Sequence, residues 1–277
     1  MERTPETQPA SSSPETGRLP LPLSVFVVTM NEEENLERAL ASLADLATEI
    51  VVVDSGSTDG TQAVAEKYGA KWYHQDWLGF RDQKRVALGH CTQPWTFLID
   101  ADEEVSAELR EAILYFFEHE KEQYDGAEFA RRTWFVDRWI LHGDWYPDRK
   151  LRLFRTEKVA LNGELAHEVA EVPGAVKRMR GDLNHYSFPS MNRYVEKINV
   201  FSDAFLKREL EAGKSWSAAR NISRPMWRFF RAYFLRLGFL DGFPGLWIAV
   251  STAYMSFIRY SRNFEHRHQK SPGDTQS

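Results

Sequence analysis

The amino-acid sequence predicts an α/β protein with a doubly wound, mainly parallel sheet. Over about the first 105 residues, short apolar and β-branched runs alternate with amphipathic helical stretches, the pattern of repeated strand–helix–strand units. The runs are continuously apolar, as strands covered on both faces are. A length of 277 residues with 43% hydrophobic content suffices for a large core, so no disulfide or metal staple is required.

Residues 1–22 are rich in Pro, Ser, Thr and Glu, and are expected to form a disordered tail. The tail lacks the apolar centre of a secretory signal. Together with a single cysteine, Cys91, this points to a reducing, cytoplasmic setting. The first strand is Ser24 to Val28. A helix follows through NEEENLERALASL, with an apolar stripe at Leu36, Ala39, Leu40 and Leu43 and with acids in its first turn that suit the helix dipole. Glu49 to Asp54 is the second strand, SGSTDGT is its turn with Asp59 as a helix cap, and TQAVAEKYG is a helix closing at Gly69. KWYH is a third strand, GFRDQKRVALGHC a third helix, and Trp95 to Asp100 a fourth strand that stops at DADEE. Ser106 is the expected N-cap of the helix SAELREAILYFFEHE. Beyond Tyr124, GAEFARRTWFVDRWI, KLRLFRT and AVKRMRGDLNHYSF predict longer, partly exposed strands, and Ser190 to Leu210 predicts a helix. The expected layout is a tail over 1–22, a sheet domain over 23–189, a helical region over 190–265 and a flexible tail over 266–277.

A net charge of −5, from 35 Lys and Arg against 40 Asp and Glu, argues against a nucleic-acid binder. No GxGxxG follows the first strand and no GxxxxGK[ST] occurs, so any nucleotide would be held by side chains and not by a glycine loop. In open parallel sheets, ligands bind beyond the carboxyl ends of the strands. Here those ends carry Thr29-Met30-Asn31-Glu32, Asp54-Ser55-Gly56-Ser57 and Asp100-Ala101-Asp102-Glu103-Glu104. Asp100 and Asp102 offer hard oxygens of the kind that bind Mg²⁺ or Mn²⁺ together with substrate phosphates. Asp54 is placed to hydrogen-bond a ribose or a base edge.

SVFVVTMNEEENLERAL, EIVVVDSGSTDGT, GFRDQKRVAL and FLIDADEEVSAELREAI resemble the successive motifs of family 2 glycosyltransferases, and WYPDRKLRLFR and LAHEV continue the likeness. Among members of the family, the sequence is most similar in flavour to bacterial lipopolysaccharide-core glucosyltransferases. The resemblance implies a GT-A fold, with 23–189 as the catalytic domain. It implies donor contacts from Thr29, Asn31 and Glu32 in the first loop, nucleobase reading by Asp54, and nucleotide or phosphate contacts from Arg81 and Lys84. It also implies a ribose-side role for Asp100 with Ala101, and metal ligation by Asp102. Val28 and Met30 stand where the family usually has Pro and Tyr.

Such a reaction needs positive charge at the leaving diphosphate, which Arg149 and Arg152 on the KLRLF strand would add to the metal. It also needs a carboxylate base. The resemblance implies Glu168, at the place where many family members carry an acidic base motif, as the first choice; Asp148, in an aromatic loop, is the second. His185 is expected to complete the metal or diphosphate site. Trp134, Trp139, Trp145 and Tyr146 serve equally as sugar platforms or as core. No acid occurs between Glu211 and Asp241, where Lys214, Arg220, Arg224, Arg228, Arg231 and Arg236 are interleaved with aromatics. This stretch, with LGFLDGFPGLWIAVSTAYMSFI after it, predicts a monotopic or re-entrant membrane anchor over a span or a soluble core helix. The sequence therefore describes an inverting transferase on the cytoplasmic face of the inner membrane, with a nucleotide-sugar donor, a UDP-sugar by preference. Its acceptor would be a lipid-linked or lipopolysaccharide-core glycolipid. The rivals are a nucleotidyltransferase and a membrane-tethered sugar-binding scaffold.

Overall fold

A computed structural model describes residues 20–164, 167–188 and 190–269, without the side chains at positions 164, 167, 168, 197, 200 and 201. The chain begins with β1 (Leu21–Thr29), α1 (Glu33–Ala41), β2 (Ala47–Asp54), α2 (Thr61–Lys67), β3 (Lys71–His74), α3 (Phe80–Gly89) and β4 (Trp95–Leu98). These four strands lie in the order β3-β2-β1-β4, all parallel. The chain thus winds outward to β3 and returns to the other side of β1, which puts the reversal of strand order, the position where open α/β sheets bind ligands, between β1 and β4. Side chains alternate across the sheet. Val25, Val27, Val52 and Phe97 pack against Leu36 and Leu40 of α1, while Phe26, Val51 and Val53 face Ala87 of α3.

A second half continues with β5 (Glu103–Val105), α4 (Ala107–His119), β6 (Gly126–Phe135), β7 (Arg138–Ile140), β8 (Asp148–Arg155), β9 (Ala160–Glu164), β10 (His167–Glu171) and β11 (Val176–Phe188). The sheet extends from β4 through β8, β6 and β11 to β5, with β7 on β6 and with β9 and β10 as a separate hairpin. Ser106 caps α4 as expected, accepting from Leu109 N at 3.3 Å. At Gly181 (φ +79°) a Cβ would sit 2.3 Å from Leu109 N, so only glycine lets β11 pass this close to α4.

Several boundaries differ from the sequence reading. β1 starts at Leu21, inside the expected tail, because Leu21 N donates to Leu46 O and Thr48 Oγ1 donates to Leu21 O. The stretch GAEFARRTWFVDRWI is a hairpin and not one strand. It turns at Val136, whose φ of 61° gives no turn signature in sequence because β-branched residues avoid that region.

The C-terminal region comprises α5 (Met191–Glu211), α6 (Ala218–Phe230) and α7 (Gly242–His268). Helix α7 runs into the expected flexible tail, where Arg267 donates to Asn263 Oδ1 and Lys214 O. An irregular turn, Arg231–Leu235 and then Gly238–Asp241, joins α6 to α7. Ile248 of α7 packs on Phe135 and Ile140 of the β6–β7 hairpin, and Trp145 joins Phe188, Tyr194 and Trp247 in an aromatic layer below it. Trp145 is therefore core. Among the described residues no single helix is long and apolar enough to cross a membrane, but the pair 218–235 and 238–268, bent by 71°, passes that test together.

Candidate active site

The loops after β1 and β2 are stitched to each other. Asn31, in the left-handed region that Asn tolerates (φ 56°), donates its N–H to Ser57 Oγ at 2.7 Å, and its Oδ1 accepts from Thr58 N at 2.8 Å. Glu32 N donates to Thr61 Oγ1. Asp59 is structural, accepting from Thr61 N and Glu33 N, but it is not the expected helix cap, since Gly60 occupies the N-cap of α2. Asp54 is only 2% exposed, and its carboxylate accepts from Thr29 Oγ1 and Ser57 Oγ on one oxygen and from Gly56 N and Ser57 N on the other. Burial works to raise its pKa, and these four donors outweigh it, so the group sits below the usual carboxylate value. These four bonds hold the Asp54 carboxylate in place at the end of β2. Asp54 and Thr29 thus shape the loop. Asn31 and Glu32, with Glu33, Glu34, Asn35 and Asp59, line a shallow depression of about 300 Å³. Its lining is acidic and unsuited to a diphosphate.

The charged centre lies one strand over. Lys84 reaches from α3 to donate to Asp100 Oδ1 at 2.6 Å, and Arg152 donates from β8 to Asp100 Oδ2 at 2.5 Å. Burial of Asp100 opposes ionisation, but the charges of Arg152 and Lys84 hold its pKa well below the usual value. Glu103, fully buried, binds the cluster from behind: its Oε1 accepts from Arg152 at 2.8 Å and from Arg131 of β6 at 3.0 Å, and its Oε2 accepts from Asp100 N at 3.0 Å. Arg131 continues to Asp148, donating through Nε at 3.0 Å and Nη2 at 2.7 Å. Lys150 pairs with the other oxygen of Asp148. Burial again opposes this carboxylate's charge, and Arg131 and Lys150 prevail, so its pKa is lowered.

Asp102, in the turn between β4 and β5, faces His185 of β11 with Oδ2 and Nε2 3.4 Å apart. The register places His185 opposite Glu103, and Tyr186 N donates to Asp102 O at 2.9 Å, so backbone pairing sets the approach. His185 Nδ1 is buried with no hydrogen-bond partner among the described residues. The 3.4 Å separation is long for a charged hydrogen bond. A hard carboxylate and an imidazole that face each other loosely fit a divalent cation which takes its remaining ligands from substrate phosphates and water. Among the described residues no group of three or more His, Cys, Asp or Glu could hold a metal by itself.

The structure thus brings together Lys84, Asp100, Arg152, Asp102, His185 and Asp148, with Ala101 packed in the core between the two aspartates. Besides the residues of the β1 and β2 loops, Arg149 and Arg81 lie outside this centre. Arg149 is exposed, three positions from Arg152 and therefore out of phase with it along the strand, and no carboxylate pairs with it among the described residues. Arg81 donates to Asp82 and to Gly163 O, tying α3 to the β9–β10 hairpin. The side chain of Glu168 lies outside the described residues; its backbone pairs with Gly163 in that hairpin. Glu103 and Arg131 escaped the sequence reading. The visible hint was a second arginine inside an otherwise apolar strand, FARRTWF.

The model of the family described as Glycosyl transferase family 2 matches residues 24–172, more than half the chain and all of the centre just described except His185. The chain belongs to this family. An uncharacterized glycosyltransferase of Rickettsia conorii is 30% identical over 260 residues, covering 87% of this chain and 89% of the relative. The lipopolysaccharide core biosynthesis glycosyltransferase LpsC of Rhizobium meliloti is 33% identical over 252 residues, covering 88% and 93%. Among solved structures, a mannosyltransferase of Pyrobaculum calidifontis in complex with GDP-Man and Mn²⁺ aligns over 94% of this chain and 92% of its own, at 14% identity and a TM-score of 0.49. The parallel strands that wind outward and return beside β1, in a member of this family, constitute the GT-A-type architecture anticipated from the motifs. Membership also removes the nucleotidyltransferase rival.

Proposed function

We propose that this glycosyltransferase moves a sugar from a nucleotide donor, a UDP-sugar by preference, to a lipid-linked or lipopolysaccharide-core glycolipid on the cytoplasmic face of the inner membrane. The observation that carries the reading is the convergence of Asp102 and His185 beside the Asp100–Lys84–Arg152 cluster, just beyond the carboxyl end of β4. The name of the LpsC relative supports the acceptor class.

Asp102 and His185 would hold Mg²⁺ or Mn²⁺, which when bound supplies Lewis-acid stabilisation of the charge on the departing diphosphate. The chain's own residues do the rest. Arg152 and Lys84 keep Asp100 ionised and fixed, so the Asp100–Ala101–Asp102 turn is set before the donor arrives. A carboxylate base, Glu168 in the first place, removes the acceptor hydroxyl proton. The acceptor oxygen then bonds to the anomeric carbon from the face opposite the leaving group, the bond to the diphosphate oxygen breaks, and the configuration inverts. Asp148 is already doubly paired with Arg131 and Lys150, which lowers its basicity and suits it to orienting an acceptor hydroxyl.

The test is transfer of radiolabelled sugar from a panel of nucleotide sugars to a truncated lipopolysaccharide core, with Mg²⁺ or Mn²⁺ supplied. Asp102→Ala is expected to reduce transfer roughly 100-fold or more while leaving the circular dichroism spectrum unchanged. Near-normal transfer by that variant would refute the assignment.

A further inference from the structure

The turn between α6 and α7 leaves a large apolar surface uncovered. Met226 and Phe230 on α6, then Leu235, Leu237, Leu240 and Phe243 around the turn, are all exposed, Met226 and Phe243 by about two thirds (67% and 66%). Contiguous exposure on this scale marks a docking surface. The turn is also firmly built. A Cβ at Gly245 would lie 1.9 Å from Gly238 O, and one at Gly238 would lie 2.7 Å from Ala232 O, so two glycines let its strands of backbone touch. The bend of 71° projects this apex away from the two helix axes.

We propose that this apex inserts shallowly into an anionic lipid bilayer, and that the same turn braces the loop that leads into Asp148 at the start of β8, so that a membrane-borne acceptor is delivered to that end of the strand. Charge complementarity selects the occupant. On α6, Ile222, Met226 and Phe230 form one row at four-residue spacing, and Arg220, Arg224 and Arg228 form a second row on another side, the division found in interfacial helices. Among the described residues no carboxylate pairs with Arg224 or Arg228.

The brace is a set of direct bonds. Asp241 accepts from His142 N at 2.9 Å and faces His142 Nδ1 at 2.9 Å. Arg236 O accepts from Gly143 N at 2.8 Å, and Arg231 Nη2 donates to Asp144 Oδ2 at 2.6 Å. From Asp144 to Asp148 the chain spans at most about 14 Å. A headgroup-level acceptor at the apex is therefore within one short loop of Asp148 and, through Arg131, of the Glu103–Arg152 cluster. Docking of this kind serves the glycolipid acceptor proposed above and rests on that reading for its cargo.

The experiment omits donor and acceptor, so its outcome is independent of the transferase reading. Burial pushes the Cys91 thiol up to about 12. It stays protonated at neutral pH, and an environment-sensitive fluorophore can be placed at Leu240→Cys or, on an exposed part of α2, at Glu66→Cys. With phosphatidylethanolamine vesicles containing phosphatidylglycerol, the label at 240 is expected to shift to the blue and the label at 66 to stay unchanged. Phosphatidylcholine vesicles should elicit little response. Leu240→Ser/Phe243→Ser should cosediment with the anionic vesicles roughly tenfold less at an unchanged melting temperature. Equal cosedimentation by that variant, or no shift at 240, overturns the proposal. A shift at 240 that depends on protein concentration without lipid overturns it in favour of a contact between copies. Quenching of the 240 label by a reagent sealed inside the vesicles overturns it in favour of a span.

Discussion

Glu103 holds the centre together although it touches neither donor nor acceptor in the scheme above. Its two oxygens join Arg152, Arg131 and the Asp100 backbone, three partners from three elements, at essentially zero exposure. Removing one member of a buried charge network strands the others, at a cost of roughly 3 kcal/mol or more. Glu103→Gln should therefore lower the urea-unfolding free energy by about that much and should weaken transfer, because Arg152 no longer has a fixed backstop. A variant as stable as the wild type would show that the network is not what holds the turn. Asp100 and Asp102 were legible in the sequence because they interrupt an apolar strand. Glu103 was not, since a third acid in DADEE looks like a solvated helix start until β11 is seen to pair with it. Asp54 is a related case. A carboxylate at a strand end has the same sequence signature whether it faces a ligand or folds back on its own turn.

The parallel strands and their helices were readable because each is local, being a run of apolar residues at a period of two or 3.6. What ties those elements together is less visible, and Glu49 is the clearest case. From β2 it accepts from Ser24 of β1, from Lys71 of β3 at 2.7 Å, and from Thr92 N ahead of β4 at 2.7 Å. Burial opposes the charge, and these donors overcome it, lowering the pKa from 4.5 to about 2. A carboxylate with a depressed folded-state pKa contributes stability that is complete above its unfolded value and is lost as the pH falls toward the folded one. Here the window runs from about 4.5 down to about 2, and the contribution at stake is about 3 kcal/mol. Denaturant titrations across that range should show the wild type losing stability more steeply than Glu49→Gln. Parallel slopes would remove Glu49 as the clamp.

For the molecule as a whole, the C-terminal helices pack into the sheet domain and are not a separate appendage to it. Their aromatic and basic texture was plain in the sequence, but their contacts were not. His142 meets Asp241 and Phe135 meets Ile248 across about a hundred residues, which leaves no local pattern to read. Truncation before Ala218 would uncover Phe135 and Ile140, both buried, at about 2 kcal/mol each. It should give an aggregating, dye-binding product when size exclusion and a hydrophobic probe are applied. A monodisperse, cooperatively melting fragment would contradict this.

The bonds from Asp241, Arg236 and Arg231 to the stretch 141–144 also constrain how such an enzyme can be re-engineered. A graft that imports a different acceptor loop while leaving the helical apex in place would sever Arg231 from its counter-ion and Asp241 from its three donors. The smallest exchangeable cassette for a chimera is therefore two segments nearly a hundred positions apart, transplanted as a matched set.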